Sequence, residues 1–137
     1  MAGTGEAIGG FHHVAIKVAD FDAAVRFYTE ALGLTEALRW GEGDKRAVML
    51  DAGDGACVEI FAGGSADAQG GGPILHFALR TDDVDAAVER VRAAGAEITM
   101  DPRDVNIPSD PVLPVRIAFF RAPGGEVVEL FQERPAS

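Results

Sequence analysis

From Phe11 onward, hydrophobic and polar residues first alternate and then change period. In HHVAIKV, the β-branched Val14, Ile16 and Val18 fall on one face and His13, Ala15 and Lys17 on the other, which is strand period. The next stretch, ADFDAAVRFYTEALG, spaces Phe21, Ala24, Val25, Tyr28, Ala31 and Leu32 along one helical face. Asp20 precedes it as an N-cap, and Gly33 stands where a helix ends in a left-handed residue. Thr35–Trp40, Ala47–Asp51 and Ala56–Phe61 then predict three strands separated by glycine-rich turns. Residues 63–73, GGSADAQGGGP, contain no large apolar side chain and predict a flexible linker.

The same order then returns. Residues 74–81 alternate like the first strand, and DDVDAAVERVRAAG carries Val84, Ala87, Val88 and Val91 on one face. At an offset of 63 residues His13 falls on His76, Asp20 on Asp83 and DAAV on DAAV. At an offset of 70, VEIF (58–61) falls on VELF (128–131). The seven-residue difference is assigned to MDPRDVNIPSDPVLP, whose four prolines predict a loop over 101–114 rather than strands. The fold class is therefore α+β, with two tandem βαβββ modules forming a curved mixed sheet around a concave cleft. The expected boundaries are a flexible leader (1–10), a first module (11–62), the linker (63–73), a second module (74–132) and a tail (133–137).

Composition narrows the classes of function. The chain of 137 residues carries 12 Lys+Arg against 22 Asp+Glu, a net charge of −10, which disfavours polyanionic partners such as nucleic acid or an anionic membrane. A single cysteine, Cys57, rules out an internal disulfide, and no apolar run is long enough to span a bilayer. A cytoplasmic protein acting on a small molecule is the expectation.

The repeat places chemistry at matching positions. Each module opens its first strand with a histidine and carries a glutamate in its last, giving His13, Glu59, His76 and Glu129. A glutamate amid Cys57-Val58-Glu59-Ile60-Phe61 is costly unless something pairs with it. Alternation turns Glu59 and Glu129 away from the apolar rows that lie under the helices. Two imidazoles and two carboxylates converging in a cleft suit one divalent cation, with two positions left for water or substrate. Ni²⁺, Zn²⁺ and Co²⁺ are favoured, and Mn²⁺ and Fe²⁺ also fit such donors. Alternation also sends His12 away from His13, to surface or packing, and puts Cys57 on the face of Glu59. Phe27, Tyr28 and Trp40 are expected in the core or an interface. Phe61, Phe119 and Phe131 are candidates for an apolar wall beside the ion, and Arg116 and Arg121 for binding substrate carboxylates.

The segments HVAIKVADFDAAVRFYTEALG, VEIF, LHFALRTDD and PGGEVVELF together resemble the vicinal-oxygen-chelate superfamily, and within it glyoxalase I (lactoylglutathione lyase). The resemblance runs from about Phe11 to Gln132. Its FY-x-x-x-LG ending is shared across the superfamily, whereas the His, Glu, His, Glu set is more selective. Related epimerases carry Gln at the second position, extradiol dioxygenases use two His and one carboxylate around iron, and bleomycin-binding members lack the set. The resemblance implies a metal-dependent lyase or isomerase moving a proton on a hemithioacetal or related vicinal-oxygen substrate through an enediolate. Glu129 would be the base, and Glu59 a ligand and partner in reprotonation. It also implies a homodimer in which His13 and Glu59 of one chain meet His76 and Glu129 of the other. Glutathione-using relatives commonly carry Arg four residues after the first His and Asn four after the first Glu. Here those positions are Lys17 and Gly63, which leaves the thiol open and makes Lys17 the candidate substrate cation. The alternatives are another metal-dependent member, an epimerase or ring-cleaving dioxygenase, or a non-catalytic small-molecule or antibiotic-binding protein.

Overall fold

The computed structural model describes residues 11–65 and 75–135. The expected leader, most of the linker and the last two residues lie outside that range. In chain order the elements are β1 (His13–Lys17), α1 (Phe21–Arg26) continued by a π-helical turn (Phe27–Ala31), β2 (Thr35–Trp40), β3 (Ala47–Asp51) and β4 (Cys57–Phe61). The second half repeats them as β5 (Phe77–Arg80), α2 (Val84–Ala93), β6 (Glu97–Ile107), β7 (Leu113–Arg121) and β8 (Val127–Glu133).

Both helices begin as expected. The Asp20 carboxylate accepts from the Ala23 N–H at 3.0 Å, and Asp83 does the same for Ala86 at 3.0 Å. Caps of this kind contribute about 1 kcal/mol each. Gly33 (φ 80°) and Gly95 (φ 95°) take the left-handed conformation that ends each helical segment.

The strands form two four-stranded mixed sheets, ordered β1-β4-β3-β2 and β5-β8-β7-β6. Their registers coincide. β1 runs parallel to β4 with Val14 opposite Val58 and Ala15 opposite Glu59. β5 runs parallel to β8 with Phe77 opposite Val128 and Ala78 opposite Glu129. The helix-facing rows of both sheets merge into one core that includes Val18, Phe21, Tyr28, Val58 and Ile60 from the first module and Val84, Val88, Phe120 and Val128 from the second. Phe27 packs its ring 5.8 Å from that of Phe120, and the Tyr28 hydroxyl donates to Glu126 Oε2 at 2.7 Å. Burial, and then the neighbouring Glu126 carboxylate, hold the Tyr28 phenol well above its usual pKa. The modules are thus joined through their helix sides, and the opposite sheet faces remain open.

One expectation is overturned. Residues 101–114 are not a loop, because β6 continues to Ile107 and β7 starts at Leu113, leaving a turn of five residues. Alternation prevails over proline here, since Val105 pairs with Val115 and Ile107 with Leu113. Pro102 lies where the β6–β7 register shifts, on the outermost strand of its sheet, so its missing N–H breaks little of the ladder. The seven extra residues therefore lengthen a hairpin. Trp40 also departs from a core role, being 42% exposed on the edge strand β2.

Candidate functional site

The shared register builds the same device twice. In each parallel ladder the glutamate's Cα partner is an alanine, and the histidine sits two residues earlier on the same face. His13 Nε2 lies 3.2 Å from Glu59 Oε1, and His76 Nε2 lies 3.1 Å from Glu129 Oε1. The two glutamates are the buried charged residues among the core-forming positions, at 7% and 9% exposure. A carboxylate so placed would cost several kcal/mol without a partner. The histidines are more open, with 37% and 35% of their side chains accessible.

The structure brings these residues together in pairs and not as a quartet. Among the described residues no three His, Cys, Asp or Glu side chains gather as a metal-holding group. Each pair still fits half of such a centre. Two donors at right angles, each ~2.0–2.2 Å from an ion, stand about 3 Å apart, which is the separation seen in both pairs. The donor set, neutral imidazole plus carboxylate, is also what borderline divalent cations prefer.

The remaining residues divide by face. Lys17 is opposite Phe61 in the β1–β4 ladder, on the side of His13 and Glu59. Phe61 meets Trp40 edge-on at 6.4 Å. Phe119 pairs with Glu129 across β7–β8 and presents its ring to His76 at 5.1 Å, nearly perpendicular. Phe131 lies two residues beyond Glu129, opposite Ile117. Arg116 is not brought to this face. It stands opposite Gln132 and binds Asp85 of α2 through two contacts of 2.7 and 2.9 Å and Asp104 at 3.0 Å. Arg121 is held by Glu97 at 3.4 Å. The Cys57 thiol is pushed above its usual pKa by burial and by Asp51 and Asp54, so it is protonated at neutral pH and ill-suited to be a nucleophile.

Three positions were not legible beforehand. Met49 lies opposite Glu59 just as Phe119 lies opposite Glu129. The 70-residue offset already relates the two, but only the paired register shows their common face. Arg80, together with His13, His76, Leu79 and Phe131, borders a groove of about 1100 Å³. His12 does not point away from His13. It precedes β1, and its Nδ1 lies 3.0 Å from His13 Nδ1 with the rings nearly perpendicular. Strand alternation does not govern a residue outside the strand.

Gly63, where glutathione-using relatives carry Asn, has φ 85°, and a Cβ there would stand 3.0 Å from the Asp44 carbonyl oxygen. A side chain at this position therefore strains the turn, and the local backbone is built around its absence.

Comparison with known proteins places this geometry in a family. A protein of Vibrio cholerae named "probable lactoylglutathione lyase" is 30% identical over 90% of this chain and 91% of its own. A 2-epi-5-epi-valiolone epimerase of Actinomyces is 32% identical over 93% of this chain and 82% of its own. The crystal structure of TnmS3, an antibiotic-binding protein from Streptomyces, superposes with a TM-score of 0.71 at 25% identity, covering 93% of this chain and 98% of that one. The model of the glyoxalase/bleomycin resistance protein/dioxygenase superfamily matches residues 10–130, and with two βαβββ modules in one register the chain belongs to that superfamily.

Proposed function

We propose that the chain is a metal-dependent, glyoxalase-I-like lyase or isomerase that moves a proton between neighbouring carbons of a hemithioacetal or related substrate with vicinal oxygens. The observation that carries this reading is the pair of superimposable His–Glu contacts, His13–Glu59 and His76–Glu129, on open sheet faces. Since one chain does not gather all four, the working centre is formed between two copies, with His13 and Glu59 of one facing His76 and Glu129 of the other. The open faces favour such pairing, as do the exposed Leu38 and Trp40 on edge strand β2.

A divalent cation held by the four residues would supply a Lewis acid for the two substrate oxygens and stabilise the charge that develops on them. The protein's own groups handle the proton. Glu129, buried and oriented by His76, is the base that lifts it from carbon and, once protonated, the acid that delivers it to the neighbouring carbon, with Glu59 a ligand and partner in reprotonation. Phe119, next to His76, and Phe131 keep water from the reacting carbon, while Lys17 attracts an anionic group of the substrate from the rim of the β1–β4 face. A lysine without a guanidinium fork, together with Gly63 in place of an amide, supports a thiol other than glutathione. Similarity to a lactoylglutathione lyase and to an epimerase supports proton transfer as the common chemistry.

Metal analysis after reconstitution with Ni²⁺, Zn²⁺, Co²⁺, Mn²⁺ or Fe²⁺, followed by a methylglyoxal assay with several thiols, tests the proposal. About one ion per chain and thiol-dependent turnover are expected. No bound ion after all five reconstitutions sinks it. Likeness to the antibiotic-binding TnmS3 favours a second reading, stoichiometric small-molecule binding without turnover, and the same assay separates the two.

A further inference from the structure

We propose that His12 is a positioning residue for His13, an inference that rests on the metal-dependent reading and extends it to a residue outside the ligand set. His12 is anchored from behind, because its carbonyl accepts from the Cys57 N–H of β4 at 2.9 Å. Its ring therefore meets His13 with a fixed backbone beneath it, Nδ1 to Nδ1 at 3.0 Å. The other ring nitrogen of His13, Nε2, faces Glu59 at 3.2 Å. The negative carboxylate beside it favours the ring proton on Nε2 in the metal-free protein, which leaves Nδ1 of His13 as an acceptor. His12 must then supply the donor, from Nδ1–H. That is the less common tautomer of a free histidine, so its presence is a signature of the contact.

When Nε2 of His13 is instead required as a bare donor to a cation, the ring proton resides on Nδ1, and His12 Nδ1 becomes the acceptor. An imidazole serves both states because it carries one donor and one acceptor nitrogen. The second module does this differently. The repeat carries His12 onto Leu75, an exposed residue with no polar side-chain atom, and His76 is flanked by the Phe119 ring. The two half-sites are held by unlike means, a hydrogen bond in one and an aromatic edge in the other. Outer partners that orient a ligand imidazole typically account for 10–100-fold in metal affinity.

Three variants of the full-length protein test this: wild type, His12→Leu, which copies the residue of the second module, and His12→Asn, whose amide lies at the level of Nδ1 and can donate or accept. In metal-free wild type at mildly alkaline pH, long-range ¹H–¹⁵N spectra should show His12 as the Nδ1–H tautomer. Finding it as Nε2–H overturns the proposal. In Co²⁺ titrations His12→Leu should bind 10–100-fold more weakly, and the exchangeable Nδ1–H signal of His13 should be lost, while His12→Asn restores both. Unchanged affinity and a retained signal in His12→Leu overturn the proposal. Wild type that binds no Co²⁺ refutes the metal reading instead, and the tautomer of His12 then decides the present inference on its own.

Discussion

The Nε2 atom of His76 stands 3.1 Å from Oε1 of Glu129, although the Cα partner of Glu129 in the parallel ladder is Ala78. The diagonal is what lets the two polar side chains meet over a small residue, and Ala15 provides the same gap between His13 and Glu59. Replacing Ala78 or Ala15 by leucine would fill that gap and push the pair apart. Ala78→Leu should therefore lower the bound metal well below one ion per chain, as measured by atomic emission, with the circular dichroism spectrum retained.

Glu129→Gln and His76→Ala address the chemistry directly. Glu129→Gln keeps the shape of the side chain and removes both the charge and the basic oxygen, so kcat should fall by at least ~10²-fold, in the range a general base contributes. His76→Ala should lose metal and turnover together. Retention of activity by Glu129→Gln would transfer the role of base to Glu59.

Lys17 and Arg116 are both cations near the β-sheets, yet they lie on different faces. Lys17 shares the face of His13, whereas Arg116 is tied to Asp85 and Asp104 on the helix side. Lys17→Ala should raise KM for an anionic substrate and leave kcat nearly unchanged. Arg116→Gln should leave KM alone and show itself only in thermal unfolding.

Tyr28 joins the modules through its hydrogen bond to Glu126. Tyr28→Phe removes the donor and leaves a partly buried carboxylate without it, at a cost of about 1–3 kcal/mol. The phenol's pKa is raised in the folded state, so the unfolded chain ionises first. This contribution is intact below the unfolded value of ~10 and declines as pH rises above it. Wild type should lose denaturant stability more steeply than Tyr28→Phe between neutral and strongly alkaline pH.

Much of this was legible in the sequence because the chain says it twice. The matches of DAAV with DAAV and VEIF with VELF aligned the halves, and the four ligand candidates followed from that alignment alone. What escaped was context that no repeat supplies. Four prolines concealed a hairpin, because only the structure shows that Pro102 falls on the edge strand β6, where a missing N–H is tolerated, that Pro108 and Pro111 lie in the turn, and that Pro114 stands at the start of β7. Alternation identified the strand faces, but it sent His12 the wrong way by treating a residue before β1 as part of it. It also said nothing of Arg116, whose face depends on the β7–β8 register.

The proposed division of ligands between two copies would have a consequence that a centre within one chain lacks. A chain with His13→Ala keeps its own His76 and Glu129, and a chain with His76→Ala keeps its own His13 and Glu59. Each homodimer of these variants has every centre broken. In a mixed dimer with twofold symmetry, one centre collects both substitutions, and the other draws His76 from the first chain and His13 from the second, so it is intact. Co-refolding equal amounts of the two inactive proteins makes half of the dimers mixed, each with one working centre of two. Activity should return to roughly a quarter of the wild-type value, accompanied by a matching fraction of bound metal. No recovery on mixing, with dimers confirmed by ultracentrifugation, would show that His13 and His76 of the same chain serve one centre.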